Sequence, residues 1–159
     1  MSKSATSRRF VALSAARIKE WMASDLGHLD IMVVQIDGIH IAEDIVLVAA
    51  IGIDGEGAKH PLGLIEGASE HSAVVQALID NLIERGLDPA VPRLFIIDGS
   101  KALSKAIRRS FGRHTPIQRC QIHKARNIME RLPKPLARLG SAGAAPGLGT
   151  GRGRTRPRN

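Results

Sequence analysis

Two apolar runs in this chain close on the same dipeptide. Ile31-Met32-Val33-Val34-Gln35-Ile36 ends in Asp37-Gly38, and Leu94-Phe95-Ile96-Ile97 ends in Asp98-Gly99. Short apolar, β-branched runs bounded by turn residues read as strands. Strands this apolar are expected to be covered on both faces, with their polar tips at the rim where ligands reach a buried sheet. After the second run, apolar residues recur at Ala102, Leu103, Ala106 and Ile107, the spacing of a helix over 101–109 with one buried face. A turn at Gly112-Arg113-His114 leads to a further strand over 115–119 and then to Cys120-Gln121-Ile122-His123-Lys124-Ala125-Arg126-Asn127. A strand-tip Asp, a crossover helix, another strand and a polar cluster make up half of an α/β active site.

The segments before 94 complete the sheet. Residues 45–53 read as a strand, Asp54-Gly55-Glu56-Gly57 as a hairpin turn, and 60–65 as a returning strand, so the first three strands form an antiparallel meander. Ser69 is expected to cap a helix whose apolar positions are Val74, Val75, Leu78, Ile79, Leu82 and Ile83, with Gly86 as its stop. The predicted order is β-β-β-α-β-α-β-α, a mixed sheet with flanking helices. Residues 11–26 predict an amphipathic helix packed over the domain, with Trp21 as its anchor. The opening Ser-Lys-Ser-Ala-Thr-Ser-Arg-Arg reads either as a frayed end or as the end of a DNA-reading helix.

Composition narrows the function classes. With 159 residues there is room for one ordinary domain, and 3% aromatic content argues against a base-stacking platform. Of the 23 Lys and Arg, seven fall in residues 131–159 together with none of the 15 acids, so residues 1–130 carry only +1. The high pI therefore belongs mostly to the tail. That Gly/Ala/Pro/Arg tail, 133–159, reads as disordered, able to meet nucleic acid through phosphate charge or to arise from a GC-rich gene read out of frame. A single cysteine, Cys120, excludes an internal disulfide. No signal-peptide pattern and no apolar run near the ~20 residues of a membrane span occur, so a cytoplasmic protein is expected.

Asp-Gly is common turn punctuation, and Asp54-Gly55 between two hairpin strands needs no other reading. Asp37 and Asp98 differ, because the first strand of a meander and the strand after the first helix are neighbours in this topology. Their tips would bring two carboxylates within reach of shared Mg²⁺ (or Mn²⁺), which favours a few carboxylates, water and substrate phosphates. Such ions support phosphodiester displacement. Cys120 and His123, at i and i+3, allow three readings: half a zinc site, a buried cysteine beside a polar helix start, or a cleft in which His123, Lys124, Arg126 and Asn127 hold DNA backbone.

The segment Gln118-Arg119-Cys120-Gln121-Ile122-His123-Lys124-Ala125-Arg126-Asn127 resembles the Cys-x-x-His signature of Mutator-type transposases of bacterial insertion sequences. Ile36-Asp37-Gly38-Ile39 and Ile97-Asp98-Gly99-Ser100-Lys101-Ala102-Leu103 resemble the segments around that family's first two catalytic acids. Ala50-Ile51-Gly52-Ile53 and Glu84-Arg85-Gly86-Leu87 also fit, in the right order. The resemblance implies a ribonuclease-H-like core, an Asp-Asp-Glu triad with Asp37 and Asp98 as its first two members, and Mg²⁺-dependent cutting and joining of DNA. It also implies terminal-repeat and target DNA as partners, an oligomer in the full-length enzymes, and a place at the bacterial nucleoid.

The family's third acid lies well over ~100 residues beyond the position of Asp98, past an inserted helical region. Here 61 residues follow Asp98, and their only acid, Glu130, comes too soon after the Cys-x-x-His segment to take that role. Glu70 is a weak substitute. The expected organisation is thus a remnant of the DNA-binding region and linking helix over 1–28, a partial catalytic core over 29–132, incomplete at its C-terminal side, and the tail over 133–159. Such a core is expected to leave apolar sheet surface exposed. Two other readings of the same features are a DNA-binding fragment that interferes with a full-length transposase and a decayed gene product.

Overall fold

The structure, a computed structural model, describes residues 3–41, 45–69 and 71–131. Glu70 and the tail over 133–159 lie outside the described residues. The chain divides into two compact units, residues 1–123 and 124–159, and the sheet, its covering helices and both aspartates belong to the first.

Five strands, β1 (Ile31–His40), β2 (Val46–Asp54), β3 (Lys59–Glu66), β4 (Leu94–Ile97) and β5 (Ile117–Arg119), form one mixed sheet in the order β3-β2-β1-β4-β5. The first three make the antiparallel meander. β4 then lies parallel to β1, and β5 parallel to β4. Helix α1 (Lys3–Trp21) precedes the sheet, α2 (Ser72–Glu84) and α3 (Lys101–Phe111) form the two crossovers, and α4 (Gln121–Arg131) follows β5. Parallel pairing requires such crossovers, and helices in them land on a sheet face.

One face of the sheet carries the core. Val34, Ile36, Val48, Ala50, Leu62, Phe95 and Ile97 are buried against Val75, Leu78, Ile79 and Leu82 of α2 and Leu103, Ala106 and Ile107 of α3. A register shift between Ile31 and Val33 lets Ile31 and Val34 both point inward although they are three residues apart. Pro61, which lacks an N–H, is tolerated because β3 is an edge strand. The expectation that β1 is covered on both faces is not met: Met32 is 53% and Ile39 45% exposed, and Val33 and Gln35 are half-buried. Apolarity marked the strand but not the number of layers over it.

The predicted N-terminal helix also needs correcting. It begins at Lys3 and ends at Trp21, and Phe10 and Val11 are 70% and 62% exposed. Leu13 and Ile18 are exposed as well, so the apolar positions of α1 do not lie along the core. Its C-terminal end is held, with Trp21 and the following Met22 half-buried.

That hold is made by Arg85. Its guanidinium donates to the carbonyls of Ser24 (2.8 Å), Leu62 (2.6 Å) and Trp21 (3.2 Å), and to Asn81 Oδ1 and Ser24 Oγ. Burial pushes this group below its ordinary pKa, and among the described residues it is in no ion pair. Gly86, at φ +102°, completes the helix stop the sequence predicted: its N–H reaches Ile83 O and the next N–H, from Leu87, reaches Leu82 O. The Glu84-Arg85-Gly86-Leu87 segment is thereby a structural joint between α1, α2 and β3.

Candidate active site

The strand register positions the two aspartates. β1 and β4 share four parallel rungs, the last pairing Ile36 with Ile97. Asp37 is the next residue along β1, and Asp98 is the first residue beyond β4, so both follow directly on that last rung. Asp37 is not a strand tip, as the sequence suggested. β1 runs three residues further, to His40, paired there with β2 alone because β4 has ended. Asp37 has the parity of Val33, Gln35 and Ile39, the face opposite the buried Val34 and Ile36.

Asp98 is held by neighbours from two loops. Its Oδ1 accepts from the Ser100 N–H at 2.8 Å, and its Oδ2 from the Ser69 hydroxyl at 2.9 Å. Ser100 Oγ in turn donates to Ser69 O (2.7 Å) and accepts from the Leu103 N–H (3.2 Å), which makes Ser100 the N-cap of α3. Both serines are buried. Ser69 therefore does not cap α2 as predicted. His71 occupies that position, without a side-chain cap bond. A serine before an apolar helical pattern carries the same local signal whether it caps or reaches across, and its partner here lies 29 residues away.

Gly99 has φ +104°, and a Cβ there would come within 2.8 Å of Arg119 Nε, so the Arg119 side chain lies across the turn that follows Asp98. Lys101, Lys105 and Arg108, at i, i+4 and i+7 on the exposed side of α3, face the same hollow. The sequence reading used the apolar half of this helix and passed over its cationic stripe.

His123 lies beside the other aspartate, with Nε2 3.6 Å from Asp37 Oδ1, charge-pair distance but too long for a hydrogen bond. Its Nδ1 is buried with no hydrogen-bond partner among the described residues. Cys120 is buried and precedes α4; its N–H donates to Ile97 O at 2.7 Å, extending the β4–β5 pairing by one bond. Cys120 and His123 thus do not share a helix face. Lys124, Arg126 and Asn127 are exposed on α4 and belong to the unit over 124–159.

Among the described residues no three His, Cys, Asp or Glu side chains converge closely enough to hold an ion by themselves. Asp37 and Asp98 nonetheless fit a hard divalent cation. They offer oxygen donors from adjacent strands, and each Asp98 oxygen has lone-pair capacity beyond the single bond it accepts. Mg²⁺ retains water and takes substrate phosphate oxygens at its remaining positions. Among the described residues no helix is long and apolar enough to cross a membrane.

Residues 1–140 match the sequence model of the Transposase, Mutator family. The chain is 32% identical over 117 residues to the transposase for insertion sequence element IS6120 of Mycolicibacterium smegmatis, covering 70% of this chain and 35% of that protein. Over 85 residues it is 38% identical to the transposase for IS256 in transposon Tn4001 of Staphylococcus aureus, covering 54% of this chain and 21% of that one. It is 36% identical over 90 residues to the transposase for element IST2 of Acidithiobacillus ferrooxidans, covering 57% and 30%. The chain spans about a third or less of the length of these relatives. With the match extending over most of its residues, the chain belongs to the Mutator family of transposases.

Proposed function

We propose that this chain is a core segment of a DNA transposase of ribonuclease-H-like fold, in which Asp37 and Asp98 hold Mg²⁺ or Mn²⁺ for cutting and joining DNA at transposon ends. The observation that supports this reading is the parallel β1–β4 register, whose last rung immediately precedes Asp37 and Asp98. A meander followed by two parallel crossover strands, β4 on β1 and β5 on β4, supports the fold assignment. When bound, the metal supplies Lewis-acid stabilisation of the phosphodiester oxygens. The chain's own groups orient and bind. Ser69 and the Ser100 N–H fix the Asp98 carboxylate, and His123 faces Asp37. Lys124, Arg126 and Asn127 contact DNA phosphates, with terminal repeats and target as substrates and a homo-oligomer in the full-length family.

Titrating Mn²⁺ into the 159-residue chain, followed by electron paramagnetic resonance, tests the metal assignment. Asp37→Asn and Asp98→Asn are each expected to weaken binding by about tenfold or more. Equal affinity in wild type and both variants would remove the ion from these residues. The 159-residue polypeptide carries two of the three acids, with Glu130 unassigned, so we expect little or no strand transfer on a supercoiled plasmid bearing matched terminal repeats. Efficient joining would refute that. The rival reading, a DNA-binding fragment that interferes with the intact enzyme, requires co-expression to lower transposition frequency.

A further inference from the structure

A cavity of about 470 Å³ opens between α3 and β5, lined in part by the Gly99-Ser100 turn that follows Asp98. Lys101, Lys105 and Arg108 line it from the helix and Arg119 from the end of β5, with Gly99 and Ser100 forming its floor. No carboxylate side chain lines it, and among the described residues none of the four cations is in an ion pair. Residues 1–130 carry a net charge of only +1, so four unpaired cations around one hollow are a local concentration rather than a sample of a basic surface. The N-terminal end of α3, with its first-turn N–H groups, adds positive potential at the same rim.

We infer that this pocket seats the phosphate backbone of a DNA strand and holds that strand beside Asp98. The inference rests on the DNA-directed reading above and names a contact surface separate from α4. Lys101 to Arg108 spans seven residues of helix, about 10 Å. That row is longer than one phosphate and suits linked phosphates. Arg119 is kept over the turn by the absence of a Cβ at Gly99, and contributes a planar fork of donors suited to phosphate oxygens.

The test is duplex oligonucleotide binding by the full 159-residue chain, followed by fluorescence anisotropy over a series of salt concentrations. A Lys105→Ala/Arg108→Ala variant removes two cations from the exposed side of α3, and a Lys105→Gln/Arg108→Gln variant serves if the first is poorly folded. Lys19→Ala/Lys59→Ala removes two cations from elsewhere. We expect the pocket variants to bind about tenfold or more weakly at low salt, and the slope of log affinity against log salt to fall by about two, with the control unchanged. Wild-type binding matched by the pocket variants in affinity and slope would overturn the inference while leaving DNA binding intact. No wild-type binding at any salt would overturn the DNA reading and this inference with it. Inorganic phosphate, titrated against the Gly99 to Ser104 amide resonances, separates the two sources of phosphate. Loss of phosphate binding in the variants with undiminished DNA affinity would assign the pocket to a free anion and overturn its role in holding a strand.

Discussion

The two ends of β4 treat positive charge in opposite ways. At its N-terminal end Arg93 is buried, donating to Ile31 O at 3.0 Å and to the carbonyls of Asp88 and Val91, much as Arg85 at the end of α2 directs its guanidinium at three carbonyls, an amide and a hydroxyl. Burial lowers the pKa of both, and for Arg93 the charges of Asp88 and Asp30 act against it. At the C-terminal end Lys101, Lys105, Arg108 and Arg119 stand in the open without ion-pair partners among the described residues. Residue type does not distinguish these groups. What does is whether the chain itself uses up the donors: the first set fastens loops to the sheet, and the second has its donors left over for something outside the protein.

The sharpest way to break this comparison is to remove cations from each set and measure folding. Arg85→Ala leaves several buried carbonyls unsatisfied and is expected to cost about 3 kcal/mol in chemical denaturation. The Lys105→Ala/Arg108→Ala variant should stay within about 0.5 kcal/mol of wild type. Similar losses at both ends would erase the distinction. A smaller effect sharpens the role of the C-terminal end. Ser69→Ala removes the hydroxyl bonded to Asp98, and is expected to weaken Mn²⁺ binding by about 10- to 100-fold. Ser69→Thr, which keeps a hydroxyl, should restore much of it, whereas a purely packing role would leave Mn²⁺ affinity tracking stability in both variants.

The smallest effect lies in the hairpin after β2, where Asp54 is fixed by its own neighbours and serves as turn chemistry. Its carboxyl is held below the ordinary carboxylate range, first by the His60 hydrogen bond at 2.7 Å and then by the Ala58 N–H. A carboxyl whose folded pKa is depressed adds stability above its unfolded pKa, and that contribution is lost as pH falls through the folded value. The thermal midpoint of Asp54→Asn should therefore lie slightly below wild type at neutral pH and converge with it in strong acid. Identical midpoints at neutral pH would show that the hairpin does not depend on this carboxylate.

Much of the fold could be read from local pattern. The apolar runs, the Asp54-Gly55 hairpin, the helical spacing from Val74 to Ile83 and the Gly86 stop each depend on residues within a few positions of one another, and short-range sterics decide them. The neighbouring of β1 and β4 followed from topology. What stayed hidden depends on contacts across the chain. Ser69 meets Asp98 over 29 residues, and Arg85 reaches Ser24 over 61. Nor does an apolar strand state how many layers cover it: the exposed Met32 and Ile39 go against the apolarity of β1 and agree with the exposed sheet surface expected of a partial core. The stripe of Lys101, Lys105 and Arg108 was visible as the polar side of a helix, but only Arg119, arriving from β5, turns a solvated face into a pocket.

The four rungs between β1 and β4 tie the chemistry of the molecule to its packing. Sliding β4 by a single residue would turn Phe95 and Ile97 out of the core. Sliding it by two would restore their burial but carry Asp98 roughly 6.6 Å along the strand, away from Asp37. The alternation that buries a phenylalanine and an isoleucine thus also sets where Asp98 leaves the sheet relative to Asp37. A substitution in the interior of this sheet that shifts that alignment would therefore also displace the candidate site.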